Sequence, residues 1–404
     1  MRDMVDEKLT TDQTNALAVM RSGKNVFLTG GAGVGKSYVI GQFCCEQALK
    51  GKKVLMTAST GIAAWIIGGS TVHRALKLWA ISRGGDLDYM CENLNKADIL
   101  IIDEISMISS GLFNLIFACI RNIKHSLQVI VVGDFFQLPP VNKRCEKYEY
   151  AFLSYGWQEL GFIPCMLTKV VRQKDEEFIR HLERIRVGDR SGIPYFEKMS
   201  CKELNPEVPY ICGTRSAVHQ INSRCLNELP GKEQVFYAEY DDQPNESDFI
   251  GEIKLVLKPG MQLMCLINDR YGRFQNGSIG ILREIGDDSL LVDIRGREPV
   301  EIGRHQFVGV EGKDSEKNGG IVTVSQFPVK ASYAITVHKS QGQSFDSANI
   351  MMDRCWAPGQ FYVALSRCKN IHHVYFQGGL NQEYVIVDTR VKQFYKSLGC
   401  KNVG

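Results

Sequence analysis

Short runs of uninterrupted apolar residues recur through the first third of the chain, at 26–29, 54–58, 99–103 and 129–133. Each run stops where small or polar residues begin, and between runs the apolar positions fall at helical spacing. Runs that stay apolar, rather than alternating with polar positions, predict strands covered on both faces and therefore a parallel sheet. Ligands of such sheets lie beyond the carboxyl ends of the strands. The polar residues that follow the four runs are therefore expected to form one site. Downstream the pattern changes. Residues 172–225 are mixed and partly helical, whereas 231–330 carry short β-rich runs with Gly260, Gly272, Gly280 and the turn pair Asn276-Gly277. That stretch predicts a small inserted β domain. From 321 the α/β pattern returns, so a second core interrupted by the insertion is expected.

Composition adds little to this picture. A length of 404 residues suits two to four domains. A hydrophobic fraction of 44% and a charged fraction of 23% are those of a folded chain. The net charge of +3 leaves a nucleic-acid partner open, because any positive track must come from local arrangement. The 13 cysteines are scattered and form no CxxC pair, against a disulfide framework or a zinc ribbon. The adjacent Cys44 and Cys45 read as buried thiols. No targeting peptide and no apolar run long enough to span a bilayer is visible, so an intracellular soluble protein without a membrane partner is expected.

The residues after the predicted strands carry chemistry. Gly30-Gly31-Ala32-Gly33-Val34-Gly35-Lys36-Ser37 fits the phosphate-binding pattern G-x-x-x-x-G-K-S/T in full and lies between a strand and a helix. Its glycines let backbone N–H groups wrap phosphates at a helix N-terminus. Lys36 is expected to reach the β- and γ-phosphates, and Ser37 to ligate Mg²⁺. The run at 99–103 ends in Asp103 and Glu104. Two acids after a strand are often only a solvated turn. Following a phosphate loop, Asp103 suits a metal-holding role and Glu104 the orientation or deprotonation of attacking water. Gln137, in VVGDFFQLPP, follows the fourth strand and is placed to sense a γ-phosphate.

In order, the blocks GGAGVGKS, TASTGIAA, TVHR, IIDEISM, VVGDFFQLPPV, YAITVHKSQG and GQFYVALSR resemble the Pif-type helicases of the 5′-to-3′ branch of helicase superfamily one. The likeness runs from residue 9 to about 370, and RecD-like and Dda-like helicases share the plan. It implies an α/β fold of two tandem RecA-like P-loop cores with parallel sheets, the second interrupted by a small β-barrel-like insertion. The expected division is 1–165 for the first core, 166–230 with 331–404 for the second, and 231–330 for the insertion. A strand-separating element is expected at about 75–95, around Arg83-Gly84-Gly85.

The resemblance also implies roles. Gln13 matches an adenine-recognising glutamine. Gly30, Gly31, Ala32, Gly33, Val34, Gly35, Lys36, Ser37 and Gly342 match nucleotide-binding positions. Lys36, Glu104, Gln137, Arg172 and Arg367 match catalytic positions, the arginines stabilising charge on the transferred phosphoryl group. Ser37 and Asp103 match the metal-holding pair. Thr60, Gly61 and His73, then Thr336, His338 and Lys339, match segments that touch single-stranded DNA. Trp65, Trp79, Phe135 and Phe136 have the rings for base stacking, but core packing is the plainer reading of each. Ser344 departs from the family's usual Thr and keeps the hydroxyl. The implied activity is an ATP- and Mg²⁺-dependent 5′-to-3′ helicase, acting as a monomer on single-stranded, forked or structured DNA. A strand-stimulated translocase that remodels protein–nucleic acid complexes without unwinding uses the same motifs. A P-loop kinase or GTPase would lack the blocks around Thr336 and Arg367.

Overall fold

The computed structural model describes residues 9–78, 86–140, 148–200, 203–206, 208–244, 249–267, 269–274, 278–294, 298–311, 321–376 and 379–400. Trp79, the Arg83-Gly84-Gly85 segment expected to separate strands, the Asn276-Gly277 turn and the Trp65 side chain lie outside the described residues. The chain forms two compact units, Met1–Asn205 with Val337–Gly404, and Pro206–Thr336.

The first unit is built on β1 (Val26–Gly30), β2 (Val54–Ala58), β3 (Ser70–Thr71), β4 (Ile99–Asp103), β5 (Gln128–Gly133) and β6 (Ile163–Leu167). They form one sheet in the order β3-β2-β4-β5-β1-β6. Every neighbouring pair is parallel. Ala58 is level with Asp103, Thr29 with Gly133, and Gly30 with Leu167, so the carboxyl ends share one edge. The four apolar runs of the sequence are β1, β2, β4 and β5.

Both faces of this sheet are buried, which is why its central strands are apolar throughout. Val26, Leu28, Ile99, Ile101, Ile130 and Val132 pack on one side with Ala16, Leu17 and Phe43. Phe27, Leu100, Ile102, Val129 and Val131 pack on the other with Phe113, Ile116 and Tyr395. The unit's helices include α1 (Thr11–Arg21), α2 (Lys36–Leu49), α3 (Ser110–Asn122), α4 (Glu176–Val187), α5 (Gln360–Leu365) and α6 (Thr389–Ser397), of which α1, α2, α3 and α6 cover the sheet. Their starts are legible as caps. Thr10 and Gln13 form a reciprocal capping box on α1, and Ser109, Asp175 and Asp388 accept first-turn amides of α3, α4 and α6. Helix α6 closes the second face: Phe394 stacks on Phe152 at 4.2 Å, and Tyr395 stacks on Phe136 at 4.9 Å. Fully burying side chains of this size contributes about 1.5–3 kcal/mol each.

Segments well beyond β6 thus belong to the first unit. It also holds a parallel pair, Ala348–Met351 with Val374–Phe376. Phe135 and Phe136 are core residues, 1% and 3% exposed. Cys44 is half-buried and Cys45 exposed, which corrects the expectation of two buried thiols. Adjacent helical positions point about 100° apart, so only one of two neighbours faces the sheet.

The second unit is mainly antiparallel. Val300–Gly303, Ser289–Ile294, Ile279–Ile285, Gln262–Cys265 and Val329–Ala331 form a five-stranded sheet in that order. Leu263, Leu282, Val292 and Phe327 lie in its core. A three-stranded sheet contains His305–Glu311, Ile321–Gln326 and Glu239–Tyr240. Tyr210–Cys212 pairs in parallel with Ala334–Thr336, which ends in Thr336. Among the described residues, no helix of either unit is long and apolar enough to cross a membrane.

Candidate functional site

Beyond the shared edge of the sheet, several stretches of sequence meet in one pocket. Its lining includes Ala32, Gly33, Val34, Gly35, Lys36, Ser37, Asp103, Glu104, Gln137, Arg172, Gly342 and Arg367. All belong to the first unit.

The loop after β1 has no room for larger side chains. Gly33 has φ +80°, and a Cβ there would come within 2.7 Å of the Arg172 Cβ and 2.8 Å of Gln173 Oε1. The amides of Val171 and Arg172 both donate to the Gly33 carbonyl, at 2.8 and 3.1 Å. Gln13 braces the loop from α1: its Nε2 donates to the Val34 carbonyl at 3.0 Å, while Oε1 accepts from the Thr10 amide. Lys36 Nζ donates to the carbonyls of Gly30 and Gly31 at 2.8 and 2.9 Å. Burial lowers the Lys36 pKa, against the pull of Asp134, Glu104 and Asp103.

The acids come from β4. Asp103 is its last residue, and Glu104 follows in the left-handed region at φ 51°. A non-glycine residue there is strained and persists only where its surroundings hold it. The Glu104 amide donates to Asp103 Oδ1 at 2.8 Å, and Gln341 Nε2 donates to Glu104 Oε2 at 2.9 Å. Burial and the adjacent Glu104 carboxylate push Asp103 well above the usual carboxylate range. A buried acid in that condition is stabilised by a cation. Among the described residues no three His, Cys, Asp or Glu side chains cluster as a metal cage. The Ser37 hydroxyl and the Asp103 carboxylate that line the pocket are oxygen donors of the kind Mg²⁺ takes, with water and phosphate oxygens completing its shell.

Two arginines line the same pocket, Arg367 buried and Arg172 half-buried. Arg367 is 2% exposed. Its guanidinium donates to the carbonyls of Val363 and Gln343 at 2.9 and 3.1 Å and to Ser366 Oγ at 2.7 Å. Burial, then the Arg172 charge, brings its pKa down to about 10. Arg172 donates to the Ser366 carbonyl at 3.2 Å, and burial lowers its pKa as well. Among the described residues neither arginine has a carboxylate partner within 4.0 Å. Two desolvated like charges so placed favour an anion between them. Gln137, 4% exposed, faces the same pocket. An arrangement of loop amides, Lys36, two arginines and two acids can hold a polyphosphate, neutralise charge on its outer phosphoryl group and orient water against it.

Of the other expected site residues, Gly30 and Gly31 lie behind the pocket as acceptors for Lys36, and Gln13 sits beneath the loop. Thr60 caps the short helix Gly61–Ile66, accepting from the Ala63 amide at 3.2 Å. Gly61, His73 and Lys339 are exposed, and His338 is half-buried with its ring stacked on Trp356 at 5.2 Å. None of these lines the pocket, and Thr336 belongs to the second unit.

Sequence reasoning missed three contributions. Tyr362 accepts from the Ala32 amide at 2.7 Å, Gln341 reaches Glu104, and Asp134 is fully buried. Arg186 binds Asp134 through Nε and Nη2, each at 2.9 Å, and lies 4.7 Å over the Phe136 ring. Tyr395 completes this network: its hydroxyl contacts Thr29 Oγ1 at 2.6 Å, the Phe135 amide at 3.2 Å and Asp134 Oδ1 at 3.3 Å. The signal for Asp134 was available, because an acid inside an apolar run demands a partner. Its partner, 52 positions away, was not.

Comparison with known proteins agrees with this geometry. The family model for PIF1-like helicases matches residues 6–191. The ATP-dependent DNA helicase Pif1 of Bdellovibrio bacteriovorus is 35% identical, over 96% of this chain and 92% of its own length. The human ATP-dependent DNA helicase PIF1 is 31% identical, over 97% of this chain and 64% of its own length. A crystal structure of the Candida albicans Pif1 helicase superposes with a TM-score of 0.85 at 28% identity, covering 97% of this chain and all of that one. A Bacteroides Pif1 in complex with ADP-AlF3 and single-stranded DNA gives a TM-score of 0.79 at 27% identity, covering 98% and 99%. Likeness of this extent in sequence and in fold makes the chain a member of the PIF1-like helicase family.

Proposed function

We propose that this PIF1-like helicase is an ATP-dependent DNA helicase that translocates 5′-to-3′ on single-stranded DNA and opens duplex or structured DNA. The reading is carried by one observation: a loop lysine, two acids and two arginines, one buried and one half-buried and neither with a carboxylate partner among the described residues, converge on one pocket. The Bacteroides relative holds ADP-AlF3 and single-stranded DNA together, which supports the pairing of these two ligands.

In this reading Lys36 and the amides of residues 31–37 hold the β- and γ-phosphates of ATP, and Gln13 recognises the adenine. Ser37 and Asp103 would hold Mg²⁺, which supplies charge neutralisation at the phosphates. Glu104 orients and deprotonates the attacking water, Gln137 senses the γ-phosphate, and Arg172 and Arg367 stabilise the charge that develops on it. Gly342 approaches the phosphates from the segment that carries Arg367's carbonyl partner Gln343. Thr60, Gly61 and His73, with Thr336, His338 and Lys339, grip the strand through hydroxyls, small residues and rings. In the same reading the chain is divided into cores at 1–165 and at 166–230 with 331–404, with an insertion at 231–330. One chain carries every group of the ATP site, so a monomer suffices for hydrolysis.

The test is ATP hydrolysis with and without single-stranded DNA, alongside unwinding of duplexes bearing a 5′ or a 3′ tail. Strong stimulation with unwinding only from the 5′ tail is expected. Stimulation without unwinding would replace the helicase by a translocase that remodels complexes, and unwinding from the 3′ tail would reverse the polarity.

A further inference from the structure

Gln341 is 5% exposed, and among the described residues its side chain's hydrogen bond to another side chain is the donation from Nε2 to Glu104 Oε2 at 2.9 Å. Its Oε1 is buried and has no partner among the described residues. The orientation of the amide is not arbitrary, since turning it over would set Oε1 against a carboxylate oxygen. A buried amide is costly unless bonded, and this one spends its donor on the residue that carries the water-activating carboxylate. Glu104 stands at φ 51°, a strained backbone held by its surroundings, and the Gln341 amide is one of the contacts that hold its side chain.

The position of Gln341 in the chain gives the contact a second meaning. It directly follows the one-turn helix Val337–Ser340, and its amide donates to the His338 carbonyl at 3.4 Å. His338, stacked on the half-exposed Trp356, and the exposed Lys339 are not part of the pocket lining. Gln341 and Gly342 face Glu104 and the pocket, and the next carbonyl, that of Gln343, accepts from Arg367. Gln341, which bonds the carboxylate, is therefore three positions from His338 and two from Lys339.

Resting on the strand-binding and ATP-hydrolysing roles proposed above, we infer that Gln341 is a positioning residue that couples strand binding at His338 and Lys339 to the orientation of Glu104. A strand that draws on His338 and Lys339 shifts the turn they share with Gln341. The amide then sets the carboxylate toward the water. Hydrolysis without a strand is slow because that setting is incomplete, so Gln341 controls the stimulation rather than the binding of either ligand.

The experiment compares wild type with Gln341→Met, which keeps the volume and removes the donor, and Gln341→Ala, which removes both. Turnover is measured against ATP concentration with and without an oligothymidylate, together with the affinities for a fluorescent ATP analogue and for the labelled oligonucleotide. Both variants should lose about tenfold or more in strand-stimulated kcat, the scale of losing one positioned acid–base contribution. KM for ATP and both affinities should stay within about twofold, so the stimulation ratio collapses toward one. A wild-type ratio in Gln341→Met would overturn the inference. So would a parallel loss of both affinities, which marks a merely structural role. If the wild type itself hydrolyses ATP without responding to the strand, the helicase reading fails, and this inference with it.

Discussion

Replacing Arg186 by Met tests whether the network under the Gln137 loop is as desolvated as its geometry states. The substitution keeps most of the side-chain volume and removes the guanidinium. Asp134, 0% exposed, would then lose both 2.9 Å bonds and keep only the Phe136 amide at 3.2 Å and the Tyr395 hydroxyl at 3.3 Å. Breaking a buried pair from one side leaves an uncompensated charge and costs about 3–5 kcal/mol. For a unit of this size each kcal/mol lowers Tm by roughly 2–4 °C, so a fall of about 10 °C is expected by scanning calorimetry. The double variant Asp134→Asn with Arg186→Met removes both charges and should be the more stable of the two, by about 1–3 kcal/mol. An Arg186→Met protein melting within about 2 °C of wild type would refute the reasoning. A double variant showing the plain sum of the two single losses would refute it too, since uncoupled sites add.

Four further outcomes follow. Lys36→Ala should abolish hydrolysis and leave strand binding largely intact, while Glu104→Gln should bind ATP and turn over about 10²–10⁴ times more slowly, as single-turnover kinetics would show. Gly33→Ala sets a Cβ 2.7 Å from that of Arg172 at φ +80°, so binding of a fluorescent ATP analogue should weaken at least about tenfold, or about 1.4 kcal/mol. Burial raises the pKa of Asp12, but hydrogen bonds from Thr10, Thr168 and the Lys169 amide outweigh it and bring the pKa from 3.8 to about 2. Because the folded value is the lower one, the stability Asp12 provides is present above 3.8 and is lost as pH falls toward 2. Urea midpoints should therefore fall less steeply between pH 4 and pH 2, two values bracketing roughly that window, in Asp12→Asn than in wild type.

The parts of the site that were legible in the sequence are local. A strand ending in Gly30, a helix opening at Lys36 and acids at 103 and 104 are fixed by neighbours a few positions away, and a parallel sheet brings all strand ends to one edge. Arg172 and Arg367 were legible only through resemblance to a family, because no period or spacing ties either one to residue 36. Gln341 stood inside a quoted block, yet its partner Glu104 lies 237 positions upstream. The same holds for Tyr362 and Ala32, 330 positions apart. Burial also overrode pattern at Arg186: on α4 it sits beside Ile185 at the edge of the apolar stripe, where a cation reads as solvated. Only the carboxylate of Asp134, supplied by another element, makes it part of the core.

Helix α6 has a consequence for how the protein is made. Tyr395 and Phe394 finish the aromatic face under β1 and β5, yet Tyr395 is synthesised 366 residues after Thr29, the residue its hydroxyl contacts. At about 5–20 residues per second that interval is roughly 20–70 s on the ribosome. Until α6 is made, Phe27 and, once synthesised, Phe135, Phe136 and Phe152 lack the Phe394 and Tyr395 rings that pack against them. The nucleotide-binding sheet is thus a late-maturing structure whose nascent form presents a sticky aromatic surface, the kind of surface that chaperones engage.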